Sequence, residues 1–121
     1  MTTGLGTALQ ELRQTNGLEM AAIVSADGLV VEAAASGDLD VESICSVASN
    51  GLLMMDALGQ ELGAGQALMT TLEYEGRTVV MTPAGNDHLL VLLADAGTNL
   101  GRIRIVARRH LPQLADQLSA V

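Results

Sequence analysis

The stretch AAIVSADGLVVEAAASGD, Ala21 to Asp38, decides how the rest of the chain is read. Two short runs rich in Val, Ile and Ala flank Asp27–Gly28. Asp and Gly both tolerate positive φ, so a tight type I′ turn between antiparallel strands is expected. Glu19 to Ala26 reads as the first strand, with Met20, Ala22, Val24 and Ala26 on one face. Leu29 to Ala35 is its return, and SGDLD is the loop that follows. Nothing in this hairpin carries chemistry, so it reads as scaffold.

Working outward, Thr3 to Asn16 carries Leu5, Ala8, Leu9 and Leu12 at helical spacing, and Asn16–Gly17 is a helix stop. Beyond the hairpin, Asp38 or Asp40 can cap a long helix reaching about Leu62, which LGAG ends. Three further strand candidates are Leu68 to Tyr74, Arg77 to Thr82 and His88 to Ala94. Glu75–Gly76 and PAGND are the turns between them. Asn99 can cap a last helix from Leu100, which Pro112 is expected to kink or interrupt. The order is α-β-β-α-β-β-β-α. Short turns imply an antiparallel sheet. The fold class is therefore α+β: a five-stranded antiparallel sheet with the central helix on one face and the two terminal helices on the other. No repeat, linker or composition shift divides the 121 residues, so one domain is expected over 1–121.

Apolar residues make up 49% of the chain, well above the disordered range. Tyr74 is the only aromatic residue, so the core must be aliphatic and rich in small side chains. Small residues bury little area each, and dimerisation would add burial. The net charge of −8 argues against general binding to nucleic acid or an anionic membrane. The longest clean apolar run, HLLVLLA, is far short of the ~20 residues of a membrane span. With no signal-like start, the chain reads as soluble and cytoplasmic, without membrane insertion. One cysteine, Cys45, permits no internal disulfide and reads as a buried small hydrophobe.

On a helical wheel, Ile44, Val47, Ala48, Gly51, Met55, Leu58 and Leu62 form a wide apolar face expected to lie on the sheet. The opposite side should be charged if it meets only water. It carries instead Ser43, Ser46, Asn50, Leu53 and Ala57, with Met54 at its border and Glu61 as its charged member. A smooth face of this kind points to contact with a second helix or a partner, against the plain alternative of an isolated exposed leucine. On the last helix, Leu100, Ile103, Val106, Ala107, Leu111, Leu114 and Leu118 make the buried stripe. Arg102, Arg104, Arg108 and Arg109 flank it, with Ile105 among them. These arginines read either as a patch for a partner or phosphate, or as a solvated face whose guanidiniums pair with the chain's many carboxylates. The second reading has the stronger general grounds. The strand Leu68, Met69, Thr70, Thr71, Leu72, Glu73, Tyr74 has neither lysine nor proline to discourage edge pairing. At a sheet edge it could pair with its own copy across a two-fold axis.

Enzymatic chemistry finds little support. There is no lysine at all, which removes a P-loop, Schiff-base or general-base lysine. His88 and His110 have no metal-ligand spacing nearby, and no GxSxG elbow supports a triad. GLGT near the start reads as a flexible start and GAG at Gly63–Gly65 as a helix stop. No catalytic residue, cofactor or metal ligand is assigned, and the chain is not expected to be an enzyme.

The sequence resembles the Roadblock, or dynein light chain, family. The resemblance rests on GLEMAAIVSADGLVVEAA (Gly17 to Ala34), the small-residue helix after it and LLVLLADAGTNLGRIR (Leu89 to Arg104), and it covers nearly the whole chain. It implies a homodimer joined through the third strand, here Leu68–Tyr74, and the outer face of the helix Asp40–Leu62. Compact bacterial members, similar to the mutual-gliding regulators, bind a small Ras-like GTPase and can stimulate its hydrolysis. Others sit in signalling operons or act as adaptors. The expected function is thus a homodimeric regulator of a small Ras-like GTPase, acting by positioning. The alternatives are an adaptor without effect on turnover and a small-ligand sensor. Ser46, Asn50, Leu53, Met54 and Ala57 are the candidate partner or dimer face; the sequence does not divide them between the two uses.

Overall fold

The computed structural model describes residues 4–119. Its elements are α1 (Gly4–Asn16), β1 (Met20–Ser25), β2 (Val30–Ala35), α2 (Val41–Glu61), β3 (Thr70–Glu73), β4 (Arg77–Ala84), β5 (His88–Asp95) and α3 (Leu100–Ser119). The strands form one antiparallel sheet in the order β2-β1-β5-β4-β3. The expected element order and class hold. The first expected helical residue, Thr3, lies outside the described residues. The GLGT segment, expected to be a flexible start, is helical from Gly4 onward, because Leu5 and Leu9 bury themselves in the core.

α1 ends where Gly17 takes φ +64 and the Leu18 N–H bonds the Arg13 carbonyl at 3.0 Å. That bond satisfies an orphan carbonyl of the last turn, and the buried Leu18 anchors the exit. The β1–β2 turn is not the expected two-residue type I′. Only Gly28 has positive φ, at +87; the Gly28 N–H bonds the Ser25 carbonyl and the Ser25 N–H bonds the Leu29 carbonyl. The loop is therefore three residues with glycine in the left-handed position, and Ala26 sits exposed in it rather than on the strand face. The Ser25 hydroxyl donates to the Asp27 carboxylate, which holds that carboxyl below its ordinary range. The register slips between Ile23 and Val24, so Val31 is bulged.

β4 runs two residues past the expected end, and the turn shrinks to Gly85–Asp87. Pro83 is tolerated because β4 pairs there only with β5; the β3 pairing stops at Thr70–Met81. Pro112 neither ends nor interrupts α3, which continues to Ser119. Leu114 is buried beyond it and Leu111 and Leu118 pack on the core, so apolar anchoring outweighs one missing hydrogen bond.

Two apolar clusters flank the sheet. On one face, α1 and α3 cover Ala21, Ile23, Ala34, Val80, Leu90, Leu92 and Ala94. On the other, α2 packs on β2, β1 and β5, over Met20, Ala22, Val24, Leu89, Val91 and Leu93. Cys45 is part of this second cluster, and burial pushes its thiol up to about 11.

Candidate interaction surface

One helix cannot cover a five-stranded sheet. α2 is anchored at its start by Asp40, whose carboxylate accepts the Ser43 N–H at 3.2 Å. This decides between the two expected caps. From there α2 runs over β2, β1 and β5, its cover reaching Met81 of β4, and leaves β3 and the Val79 end of β4 open on the same face. At its far end the chain folds back tightly. A Cβ at Gly59 would collide with the Gly65 carbonyl oxygen, and the Ala67 N–H bonds the Asp56 carboxylate at 2.9 Å. The Leu68 carbonyl accepts the Thr82 hydroxyl at 2.8 Å, which ties the approach to β3 onto β4.

The wheel expectation for α2 is rotated by the structure. Cys45 and Ser49 are the buried positions, with Leu52 and Asp56 continuing the line. Val47, Met55, Leu58 and Leu62, expected on the sheet, are exposed, Val47 to 68%. Ile44 and Ala48 do pack on the sheet-side core, as expected, and with Val47 and Gly51 they line a groove of about 430 Å³, closed on its other side by Leu72, Tyr74, Val79 and Met81. No cationic side chain lines it. The apolar arc on α2 is too wide for a single contact: one edge meets the sheet, and the other forms this groove.

The residues singled out from sequence fall around it. Ser46, Asn50, Leu53, Met54 and Ala57 are all exposed on α2, Leu53 at 62% and Met54 at 70%. They occupy the solvent side, adjoining the groove rather than lining it. β3 is an edge strand, as the pairing argument required, but only Thr70–Glu73 is strand. Leu68 precedes it, 83% exposed, and Tyr74 follows it, where its N–H bonds the Arg77 carbonyl. Leu72 is exposed on the groove side; Glu73 is exposed too. Met69 turns to the opposite face and packs on the α1–α3 core. Thr71 shares the face of its neighbour Val80, with a buried hydroxyl that finds no partner.

At the groove's end, Arg77 Nε meets a Glu19 carboxylate oxygen at 2.8 Å. This is the ion pair found among the described residues. Arg102, Arg104, Arg108 and Arg109 are exposed and none joins a carboxylate, so the expectation of local neutralisation fails for them. Among the described residues, no group of three or more His, Cys, Asp or Glu side chains could hold a metal ion. No described helix is long and apolar enough to cross a membrane.

A family model described as the Roadblock/LC7 domain matches residues 5–94. An uncharacterized protein of Methanocaldococcus jannaschii is 34% identical over 113 residues, covering 93% of this chain and 95% of its own length. The fold is that of Myxococcus xanthus MglB, with a TM-score of 0.89, 19% identity and coverage of 98% of both chains. A gliding protein, MglB, from Thermus thermophilus superposes with a TM-score of 0.88 at 19% identity, covering 100% of this chain and 96% of that one. Those two similarities concern the fold; the family model carries the assignment. This chain belongs to the Roadblock/LC7 family.

Proposed function

We propose that the protein is a homodimeric regulatory adaptor that binds a small Ras-like GTPase in the cytoplasm and modulates its GTP hydrolysis by positioning. The observation that supports this reading most directly is the apolar groove between α2 and the edge strand β3, whose outer side has no partner strand. An open strip of sheet at β3 beside an open edge suits a second copy, whose β3 would extend the sheet and whose α2 would meet this one. The paired helices would then present Ser46, Asn50, Leu53, Met54 and Ala57 as a smooth, charge-poor platform. Similarity to the MglB fold adds to the reading, and one solved MglB has a tetrameric arrangement.

In this scheme the GTPase brings its own P-loop, Mg²⁺ and nucleotide, and the dimer orders its switch segments. No catalytic group is assigned to this chain. The groove has no cationic side chain, and Arg77 at its end is engaged by Glu19, so nothing there is free to act as an arginine finger. That same observation favours a second reading, an adaptor that binds without changing turnover.

The test is single-turnover hydrolysis by the GTP-loaded Ras-like GTPase of the source organism, with and without excess protein. Acceleration of about tenfold, or ~1.4 kcal/mol off the barrier, supports the activating role. Binding that ignores nucleotide state and leaves the rate unchanged supports the adaptor. Absence of binding in either nucleotide state overturns both.

A further inference from the structure

The outward face of α3 combines features that a purely solvated helix does not need. Arg102, Arg104, Arg108 and Arg109 lie within about two turns, some 10 Å along the axis. Their guanidiniums make no hydrogen bond or ion pair with the described residues. Yet the chain carries 14 acidic residues against six arginines, and Asp116 is the only acidic residue after Asp95. The helix is thus a cationic island on an acidic body. Ile105 stands in its midst, 57% exposed.

The placement also runs against helix stability. The N-terminal turn of a helix favours anions and disfavours cations, and the C-terminal turn does the reverse. α3 has no acidic residue in its first turn and no basic residue in its last, while Arg102 sits in the first turn. The partial positive charge of the helix start therefore adds to the arginines instead of opposing them. The cluster also lies beyond residues 5–94, the part matched by the family model, so the family assignment does not account for it.

We propose that the outward face of α3, through Arg102, Arg104, Arg108, Arg109 and Ile105, docks a short carboxylate-rich helical segment of a partner protein. Planar guanidiniums match carboxylates in paired hydrogen bonds. The aliphatic Ile105 calls for an apolar residue between the acidic ones, which a phosphate backbone does not offer. The small extent of the patch selects a short ligand. An extended polyanion or a membrane plane would also meet the acidic remainder of the chain, whose net charge is −8. α3 lies on the sheet face opposite α2, so this site is separate from the α2–β3 groove and does not rest on the GTPase reading.

The experiment uses the full chain and a fluorescent, capped helical peptide of about 16 residues with glutamates flanking central leucines. Its binding is followed by anisotropy as salt rises from about 50 to about 200 mM. We expect saturable binding that weakens with salt. Arg104→Gln/Arg108→Gln should weaken it by about tenfold or more, and Ile105→Ser by roughly threefold. Arg102→Glu should weaken binding while raising Tm by roughly 1–4 °C, because a carboxylate replaces a cation at the helix start. A role confined to structure would lower Tm instead, and that result overturns the proposal. So does absence of peptide binding at low salt, or binding indifferent to these substitutions. Tighter, equally arginine-dependent binding to phosphatidylserine vesicles or a poly-uridylate RNA would replace the acidic segment with a phosphate surface.

Discussion

The two faces of the sheet are built from similar residues and end differently. On the α1–α3 face, two helices share the load, and Leu9, Leu12, Leu90, Leu92 and Leu114 are almost wholly buried. On the α2 face, one helix covers β2, β1 and β5 and leaves Leu72, Tyr74 and Val79 beside a groove. Hydrophobicity therefore does not distinguish core from exposed surface here; the number of helices available to each face does. An aliphatic surface left over after folding is available for association.

Substitutions can break this contrast, beginning with the sealed face. Leu90→Ala removes a fully buried side chain between β1 and β4 and should cost about 2–5 kcal/mol in urea unfolding. A loss below ~1 kcal/mol would mean that this face is far looser than its burial implies. Cys45 tests the closed half of the α2 face. Its folded thiol is raised to about 11 from an ordinary 9.0, so the unfolded chain gives up the proton first. Stability should fall as pH rises through that interval, by at most about 2–3 kcal/mol. Cys45→Ala should flatten that part of the pH profile, and an unchanged slope would contradict the assignment. Asp40→Ala removes the α2 cap and should cost ~1 kcal/mol, read as a lower Tm. Leu53→Asp is the smallest effect on the isolated monomer, within about 0.5 kcal/mol. It should nevertheless abolish dimerisation or partner binding in sedimentation and pull-down assays. Normal assembly by that variant would remove Leu53 from the surface.

Most of the fold is legible in the sequence because local signals agree. Gly17, Asp40 and Asn99 fix helix ends by geometry that any reader of the sequence can apply, and the Asn99 side chain does accept the Arg102 N–H at 3.1 Å. The turn at Gly28 departs from expectation because Asp tolerates positive φ without requiring it. The surface is harder to read. The wheel locates an apolar arc on α2 but cannot say how much of it one sheet will cover, since that depends on strand order. α2 lies off centre, over β2, β1 and β5, and Val47, Met55, Leu58 and Leu62 are left towards solvent. The unpaired arginines of α3 are equally hidden. Counting carboxylates predicts partners for them, but Asp116 is the only carboxylate on α3 and pairs with none of them.

The shortness of β3 has its own consequence for the proposed dimer. Four residues span about 13 Å and provide few outward-facing amide groups. Antiparallel self-pairing centred between Thr71 and Leu72 would set Thr70 opposite the second copy's Glu73 and keep the two glutamates apart. A shift in either direction would forfeit much of so small a ladder. The edge would therefore act as an alignment key, with little holding power of its own. Tightness would come from the apolar flank of α2, leaving affinity and geometry separately adjustable by mutation.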